Sequence, residues 1–185
     1  MIDEMFVANF TQGAAASMPM YAAGDPLVAG FRQAMRRLTA AVSLITTENS
    51  GVRYGMTVTA VCSLGIKPPS LLISVSQSAS MHGPVISRGA FAVNVLTDVQ
   101  GELVRPFSGG VKGEARFAFG RWQRSPMGLP WLSGAQANFE CRSAGTLEYA
   151  GHTIIVGSVS ALSVEKRIAP LLYQDGGLAV SRMLS

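Results

Sequence analysis

Two hydrophobic periods follow one another along this chain. Leu27, Phe31, Ala34, Met35 and Leu38 recur at the i, i+3/i+4, i+7 spacing of one helix face, with Arg32, Gln33, Arg36 and Arg37 on the other side. That spacing predicts an amphipathic helix over residues 26–38. Asp25-Pro26 begins it with an N-cap and a proline whose missing N–H is no loss at the first helical position. From residue 40 the period drops to two, and the chain reads as strands. Residues 41–47 and 52–61 flank the turn 48–51 as a hairpin. Further strands are predicted over 70–75, 91–96, 117–124, 137–149 and 153–166, and residues 171–181 hold two short pieces around Asp175-Gly176-Gly177. Two short helices interrupt them. One runs from Ser80 as N-cap to residue 87, with Gly83-Pro84 near its start; the other is capped by Asp98 and runs towards 107, where Pro106 should end it. Residues 108–116 read as a flexible loop and 125–130 as a turn-rich connection. About eight strands joined by hairpins make the fold mainly β, an antiparallel barrel closed to remove its edges, with a few flanking helices. Residues 1–24 keep no period and form an N-terminal extension to a single domain over 25–185.

Composition narrows this picture. The chain has 185 residues, 48% of them hydrophobic and only 14% charged, against a typical charged share of about 25%. So little charge points to surface buried in a partner subunit, and hence to a homodimer. The net charge of +4 suits anions, but the Lys and Arg residues are scattered with few aromatics among them, which argues against nucleic acid. No run of apolar residues is long enough to span a membrane. The first ten residues carry Asp3 and Glu4 where a secretory signal would be basic. Cys62 and Cys141 match no metal-ligand spacing, and only His82 and His152 could join them, so no metal site is expected. So few cysteines suit a reducing cytoplasm.

The stretch richest in candidate chemistry runs from Tyr54 to Arg88. Met56, Val58, Ala60 and Cys62 alternate with Thr57, Thr59, Val61 and Ser63, giving one apolar face and one face largely of small hydroxyls. Hydroxyls fill a core poorly and suit a strand beside a polar ligand. Lys67-Pro68-Pro69 should stop any regular element. The run Ser76-Gln77-Ser78-Ala79-Ser80-Met81 then leads into a helix start, where hydroxyls and free N–H groups can meet an anion. The plainer reading of the same residues is an ordinary threonine-bearing strand and a serine cap. His152 stands at a hairpin tip, where a histidine can touch a ligand or simply face water. His82 can place a donor near a phosphate or serve as a partly buried helix residue. Arg116 beside Phe117 can hold a phosphate or lie on the surface. No nucleophile elbow and no phosphate-binding Gly-x-x-x-x-Gly-Lys-Ser/Thr loop is present.

At these residues the chain resembles the flavin reductase-like family of the FMN-binding split barrel, the reductase components of two-component flavin monooxygenases. The resemblance rests on Phe31-Arg32-Gln33-Ala34-Met35, Gly55-Met56-Thr57-Val58-Thr59-Ala60, Ser63-Leu64-Gly65-Ile66-Lys67-Pro68-Pro69 and Gly89-Ala90-Phe91-Ala92-Val93-Asn94-Val95-Leu96. It continues through Gly128-Leu129-Pro130-Trp131-Leu132, Phe139-Glu140-Cys141, Gly151-His152-Thr153-Ile154-Ile155-Val156-Gly157 and Pro170-Leu171-Leu172-Tyr173, in the expected order. It implies an antiparallel Greek-key split β-barrel, dimeric, with FMN or FAD near the subunit interface and NADH or NADPH as electron donor. By position, Met56, Thr57, Val58, Thr59, Cys62 and Ser63 would line the isoalloxazine and ribityl chain, while Ser78, Ser80 and Met81 would hold the phosphate. Asn94 and Arg116 are further carry-overs. The family's Gly-Asp-His motif, which helps receive the nicotinamide, stands here as Ala150-Gly151-His152, so that His152 is kept and the Asp is not. No amino-acid nucleophile or base is implied, since the chemistry belongs to the cofactor. Reduced flavin would pass to a partner monooxygenase. The alternatives are a protein that keeps its FMN and reduces another acceptor, such as a cobalt corrinoid, and a flavin-binding module without turnover.

Overall fold

The computed structural model describes residues 21–22 and 24–184; most of the expected extension over 1–24 lies outside the described residues. Two compact units divide the chain after Gln33. The first helix, α1 (Pro26–Met35), begins as expected, its first turn capped by Asp25, whose Oδ1 accepts a hydrogen bond from the Leu27 N–H at 2.8 Å. It stops at Met35, three residues earlier than the apolar spacing predicts.

In the second unit the strands are β1 (Ala40–Ala41), β2 (Ser43–Asn49), β3 (Val52–Val58), β4 (Val61–Ile66), β5 (Pro69–Ser76) and β6 (Ala90–Val95). After them come β7 (Trp122–Arg124), β8 (Pro130–Leu132), β9 (Ala137–Tyr149), β10 (His152–Val164), β11 (Leu171–Gln174) and β12 (Gly177–Val180). Seven of these form one antiparallel sheet in the order β3-β2-β6-β9-β10-β5-β4. β3 and β4 are the two edges of that sheet, yet only Thr59 and Ala60 separate them in sequence. Three peptide units reach at most about 11 Å, so the sheet must curl until its edges meet. The result is a barrel whose β3–β4 seam is not hydrogen-bonded, a split barrel as expected. The strand predicted over 52–61 is therefore two strands, because the chain crosses the seam at Thr59-Ala60.

Burial explains the long apolar runs. Leu44 and Ile45 are neighbours on β2 and point to opposite faces, yet both are fully buried. Ile45 joins Val58, Ile73, Val75, Met81, Val85, Phe91 and Ile155 in one cluster. Leu44 joins Val42, Leu96, Leu103, Phe107, Phe117 and Leu132 in another. β2 and β6 are thus covered on both sides, which removes the alternation a half-exposed strand would show. In the second cluster Phe107, Phe117 and Trp122 meet edge-on or tilted with ring centroids 5.0–5.5 Å apart, geometries that aromatic pairs favour.

Several sequence expectations change at the local level. Thr97, not Asp98, occupies the N-cap of the next helical segment, and the Gln100 side-chain oxygen accepts the Thr97 N–H at 3.0 Å. Asp98 pairs instead with Arg167 at 2.7 Å. Pro106 opens a π-turn (Pro106–Gly110) where it was expected to end a helix, since the first position of a turn needs no N–H. Gly113–Ala118, expected within a flexible loop and the start of a strand, is a 3-10 helix that buries Phe117. The strand expected over 117–124 shrinks to β7, paired with β8; with β1, β8 and the division of 52–61 into β3 and β4, the described residues hold twelve strands where about eight were expected. Pro69 starts β5, and only Lys67 and Pro68 make the turn before it; the first residue of a strand is where proline is tolerated.

Candidate functional site

Strand register gathers three segments at one end of the barrel. Val61 pairs with Ile73 and the Ala60 carbonyl accepts the Ser74 N–H at 3.4 Å, which brings the seam crossing beside the end of β5. His152 is the partner of Ser76 across β10 and β5. The Gln77 N–H then donates to the Gly151 carbonyl at 2.9 Å. Residues 58–60, 76–81 and 150–152 therefore share one rim. Thr59, Ser78, Ser80 and His152 are exposed there.

The expected site residues divide around this rim. Val58 is buried in the barrel core and Met56 packs against it. Thr57 does not offer a free hydroxyl, because its Oγ1 donates to the Val104 carbonyl at 3.2 Å. Cys62 and Ser63 are exposed further along β4. Ser63 stands beside a groove of about 240 Å³ whose walls include Leu71, Phe139 and Leu162. The single face of hydroxyls expected from the alternation is thus broken by the seam, and its members serve different surfaces.

In the serine turn, the Ser76 and Ser78 hydroxyls are 2.9 Å apart and hydrogen-bonded. Ser80 was expected to cap the helix, but α2 (His82–Arg88) has Met81 at its N-cap without a side-chain cap bond. The Met81 backbone is helical there (φ −85°, ψ −19°), so the preceding serine is one residue too early to cap. The Met81 side chain is 1% exposed and belongs to the core; only its backbone borders the turn. At the far end, Gly89 ends the helix at φ 63°, a left-handed cap that favours glycine.

Asn94 and Arg116 are engaged elsewhere. The fully buried Asn94 amide donates to the Leu44 carbonyl and to Thr46 Oγ1, while its oxygen accepts from the Leu132 N–H and from Asn138 Nδ2. Those four bonds spend its hydrogen-bonding capacity on tying β2, β6, β8 and β9 together. Arg116 donates through Nη1 to the Gly55 carbonyl and through Nε to the Gly113 carbonyl at 3.0 Å. Burial lowers its pKa from the usual arginine range. Its guanidinium fastens the 3-10 helix to β3 over Phe107, which suits a structural role.

His152 opens β10 after a turn in which Ala150 has φ 48° and Gly151 φ 73°. Both values lie in the left-handed region, the signature of a two-residue hairpin turn of type I′. The ring rests against the Ala150 carbonyl, with Nδ1 at 3.3 Å. His82 is held differently: its Nε2 and the buried Thr153 Oγ1 are 2.8 Å apart. Thr153 and Gln77 carry no local sequence signal, because only the β5–β10 register brings them to the rim.

A flavin fits this set of groups. Its phosphate needs donors and no neighbouring carboxylate. The exposed Ser78 and Ser80 hydroxyls supply donors, as do the Ser80 and Met81 N–H groups, which no backbone carbonyl of the described residues takes up. None of residues 76–82 or 150–152 is acidic.

Residues 35–181 match the model of the flavin reductase like domain. The chain belongs to that family. It is 41% identical over 147 residues to the reductase component of FADH(2)-dependent resorcinol hydroxylase of Rhizobium sp. strain MTP-10005, covering 78% of this chain and 82% of that protein. It is 34% identical over 165 residues to the FMN reductase (NADH) RutF of Methylorubrum extorquens strain DM4, covering 89% and 78%. Among solved structures, the NADH:FAD oxidoreductase SgcE6 of Streptomyces globisporus, in complex with NAD and FAD fragments, superposes with a TM-score of 0.77 at 26% identity, covering 90% of this chain and 98% of that one.

Proposed function

We propose that this protein is an NAD(P)H-dependent flavin reductase that delivers reduced FMN or FAD to a partner monooxygenase. The observation that carries this reading is the pairing of His152 with Ser76, which joins the candidate nicotinamide-docking residue to the candidate phosphate turn within a barrel of the flavin reductase like family. NADH as donor is supported by the names of the relatives, which specify NADH together with FMN or FAD. When bound, the flavin supplies the two-electron acceptor for the nicotinamide hydride. Ser78, Ser80 and the turn N–H groups bind its phosphate. Thr59 and Ala60 at the seam border the ring system, with Cys62 and Ser63 beyond them. His152 docks the donor. Hydride transfer demands alignment at roughly 3–3.5 Å, so its imidazole orients and does not move a proton.

Gly151 stands where the family has Asp, and the turn itself accounts for glycine there. At φ 73° glycine carries no penalty, and nothing lies within 4 Å of its absent Cβ. His152 accordingly takes its orientation from the Ala150 carbonyl and not from a carboxylate.

The proposal includes a homodimer. Leu64, Ile66, Leu162 and Val164 on β4 and β10 are exposed, Ile66 at 84% and Val164 at 68%, and an apolar surface of this kind is ordinarily covered by a partner. Among the described residues no helix is long and apolar enough to cross a membrane, and we place the reaction in the cytoplasm, where two unpaired cysteines persist.

The test is direct. Purified protein with NADH and added FMN or FAD should oxidise NADH far faster than flavin alone, and light scattering should return twice the 19.5 kDa chain mass. His152→Ala should raise the KM for NADH while flavin affinity stays nearly constant. Protein that neither binds flavin nor accelerates NADH oxidation refutes the reading.

A further inference from the structure

His82 is the second histidine of the chain, and the function proposed above gives it no part. Its surroundings do. The serine turn leaves β5 at Ser76 and ends at His82, the first residue of α2. At its start the turn is tied to the β9–β10 hairpin twice, by the Ser76–His152 pairing and by the Gln77 N–H to the Gly151 carbonyl at 2.9 Å. At its end the His82 ring reaches back to the same strand, with Nε2 2.8 Å from Thr153 Oγ1. The anchors on the β10 side are thus three consecutive residues, Gly151, His152 and Thr153. Ser78 and Ser80 lie on the stretch of turn between the two ties.

The two ends differ in character. The first anchor is backbone pairing, which any sequence can make. At the second, beside the buried Met81 side chain, the tie to β10 is one side-chain contact, with the hydroxyl of Thr153, a residue that is 1% exposed. Adjacent residues of a strand point to opposite faces, so Thr153 faces the core while His152 faces outward. A group that holds Thr153 therefore also fixes the strand from which the His152 ring projects.

Building on the reductase reading, we propose that His82 is a positioning residue. Its contact with Thr153 closes the serine turn and sets the distance between the flavin phosphate donors and His152. The chemistry is that of a strap. Without it, the far end of the turn is held by the Met81 side chain in the core but not to β10, the donors at Ser78 and Ser80 spread over more conformations, and His152 loses its reference to them. Both half-sites then weaken together, whereas Ser80→Ala should touch only flavin affinity and His152→Ala only the donor KM.

The experiment uses the full chain, with FMN affinity measured by fluorescence titration and NADH KM by steady-state kinetics. His82→Leu removes the contact, His82→Gln keeps a side-chain N–H able to reach Thr153, and Thr153→Val removes it from the other side. We expect His82→Leu and Thr153→Val each to weaken FMN binding and raise NADH KM by roughly fivefold to tenfold, the loss of one partly buried hydrogen bond. His82→Gln should recover most of both. In a His152→Ala background, His82→Leu should no longer raise NADH KM appreciably, because residues acting through one another are not additive. A merely structural histidine would lower the melting temperature and leave that non-additivity absent. The proposal is overturned if His82→Leu binds FMN and NADH as wild type does, or if its effect on NADH KM persists undiminished in the His152→Ala background. Should His82→Leu fail to fold, Thr153→Val carries the same expectation and the same refutation. Wild-type protein is measured first: absence of flavin binding there refutes the reductase reading itself, whereas normal wild-type binding with unaltered variants refutes only the strap.

Discussion

Gly157 offers a sharp test of how the barrel is packed. It lies in β10 at a register shift against β9, and a Cβ built on it would stand 2.6 Å from Phe91 Cζ and 2.9 Å from Cys141 Cβ. Carbon atoms in contact rest at about 3.5–4.0 Å, so Gly157→Ala requires the Phe91 ring tip to retreat by about 1 Å. Phe91 is fully buried in the barrel cluster. The Cys141 Cβ is fixed to the β9 backbone, so the strands themselves must part if the ring does not yield. Overpacking of this kind costs about 1–3 kcal/mol. For a chain of this length that lowers Tm by roughly 2–12 °C. The assay is thermal unfolding by circular dichroism without flavin, comparing wild type, Gly157→Ala, Phe91→Leu and the double variant. Phe91→Leu alone leaves a cavity and destabilises, but in the double variant the shortened side chain accommodates the new methyl, so the two losses should fall short of their sum by about 1 kcal/mol or more. A Tm for Gly157→Ala within about 1 °C of wild type, or strictly additive losses, would refute the packing described for this strand.

Other expectations can be checked with the same material. Ser80→Ala should weaken FMN binding roughly tenfold to a hundredfold, the loss of one hydrogen bond to a charged phosphate at about 1.5–3 kcal/mol, and an unchanged dissociation constant in fluorescence titration removes Ser80 from the phosphate site. Ala150→Gly should raise stability by about 0.5–1 kcal/mol, because Ala150 is held at φ 48°; a lower Tm would contradict the turn geometry. Burial, reinforced by the nearby Glu140 carboxylate, pushes the Cys141 thiol from an ordinary 9.0 up to about 12. Its folded-state proton is therefore held more tightly than the unfolded one, so its contribution to stability is complete below pH 9 and is lost as pH rises towards 12. In native protein at mild alkaline pH, Ellman's reagent should accordingly reach the exposed Cys62 and spare Cys141; rapid reaction of both would show that the β9 core opens.

Local pattern sufficed for much of the fold. The helix period ahead of residue 40 and the strand period after it depend only on which neighbours share a face, and that information is carried by adjacent side chains. Hairpin turns were legible for the same reason, since Asp175-Gly176 and the glycine at 151 state their backbone requirement in residue type. Helix caps were less so: Ser80 and Asp98 have the right chemistry, but the helices start one residue away from the expected place because backbone angles at Met81 and Thr97 decide the start.

Tertiary structure decided what the local pattern cannot contain. Alternation says that Thr57 and Thr59 point the same way, but not that Val104 will take the first hydroxyl while the seam leaves the second exposed. Asn94, carried over from the family resemblance, lies at the centre of a buried network, because its partners on β2, β8 and β9 arrive from distant parts of the chain. The rim itself exists only through register. Ser76 and His152 are far apart in sequence, and their pairing follows from the burial of Ile73, Val75, Thr153 and Ile155 on the same inner face. A slip of one residue would turn that whole set outward. The motifs of this chain thus name the chemistry, while the burial of the inner face of a curled sheet chooses which of their side chains meet.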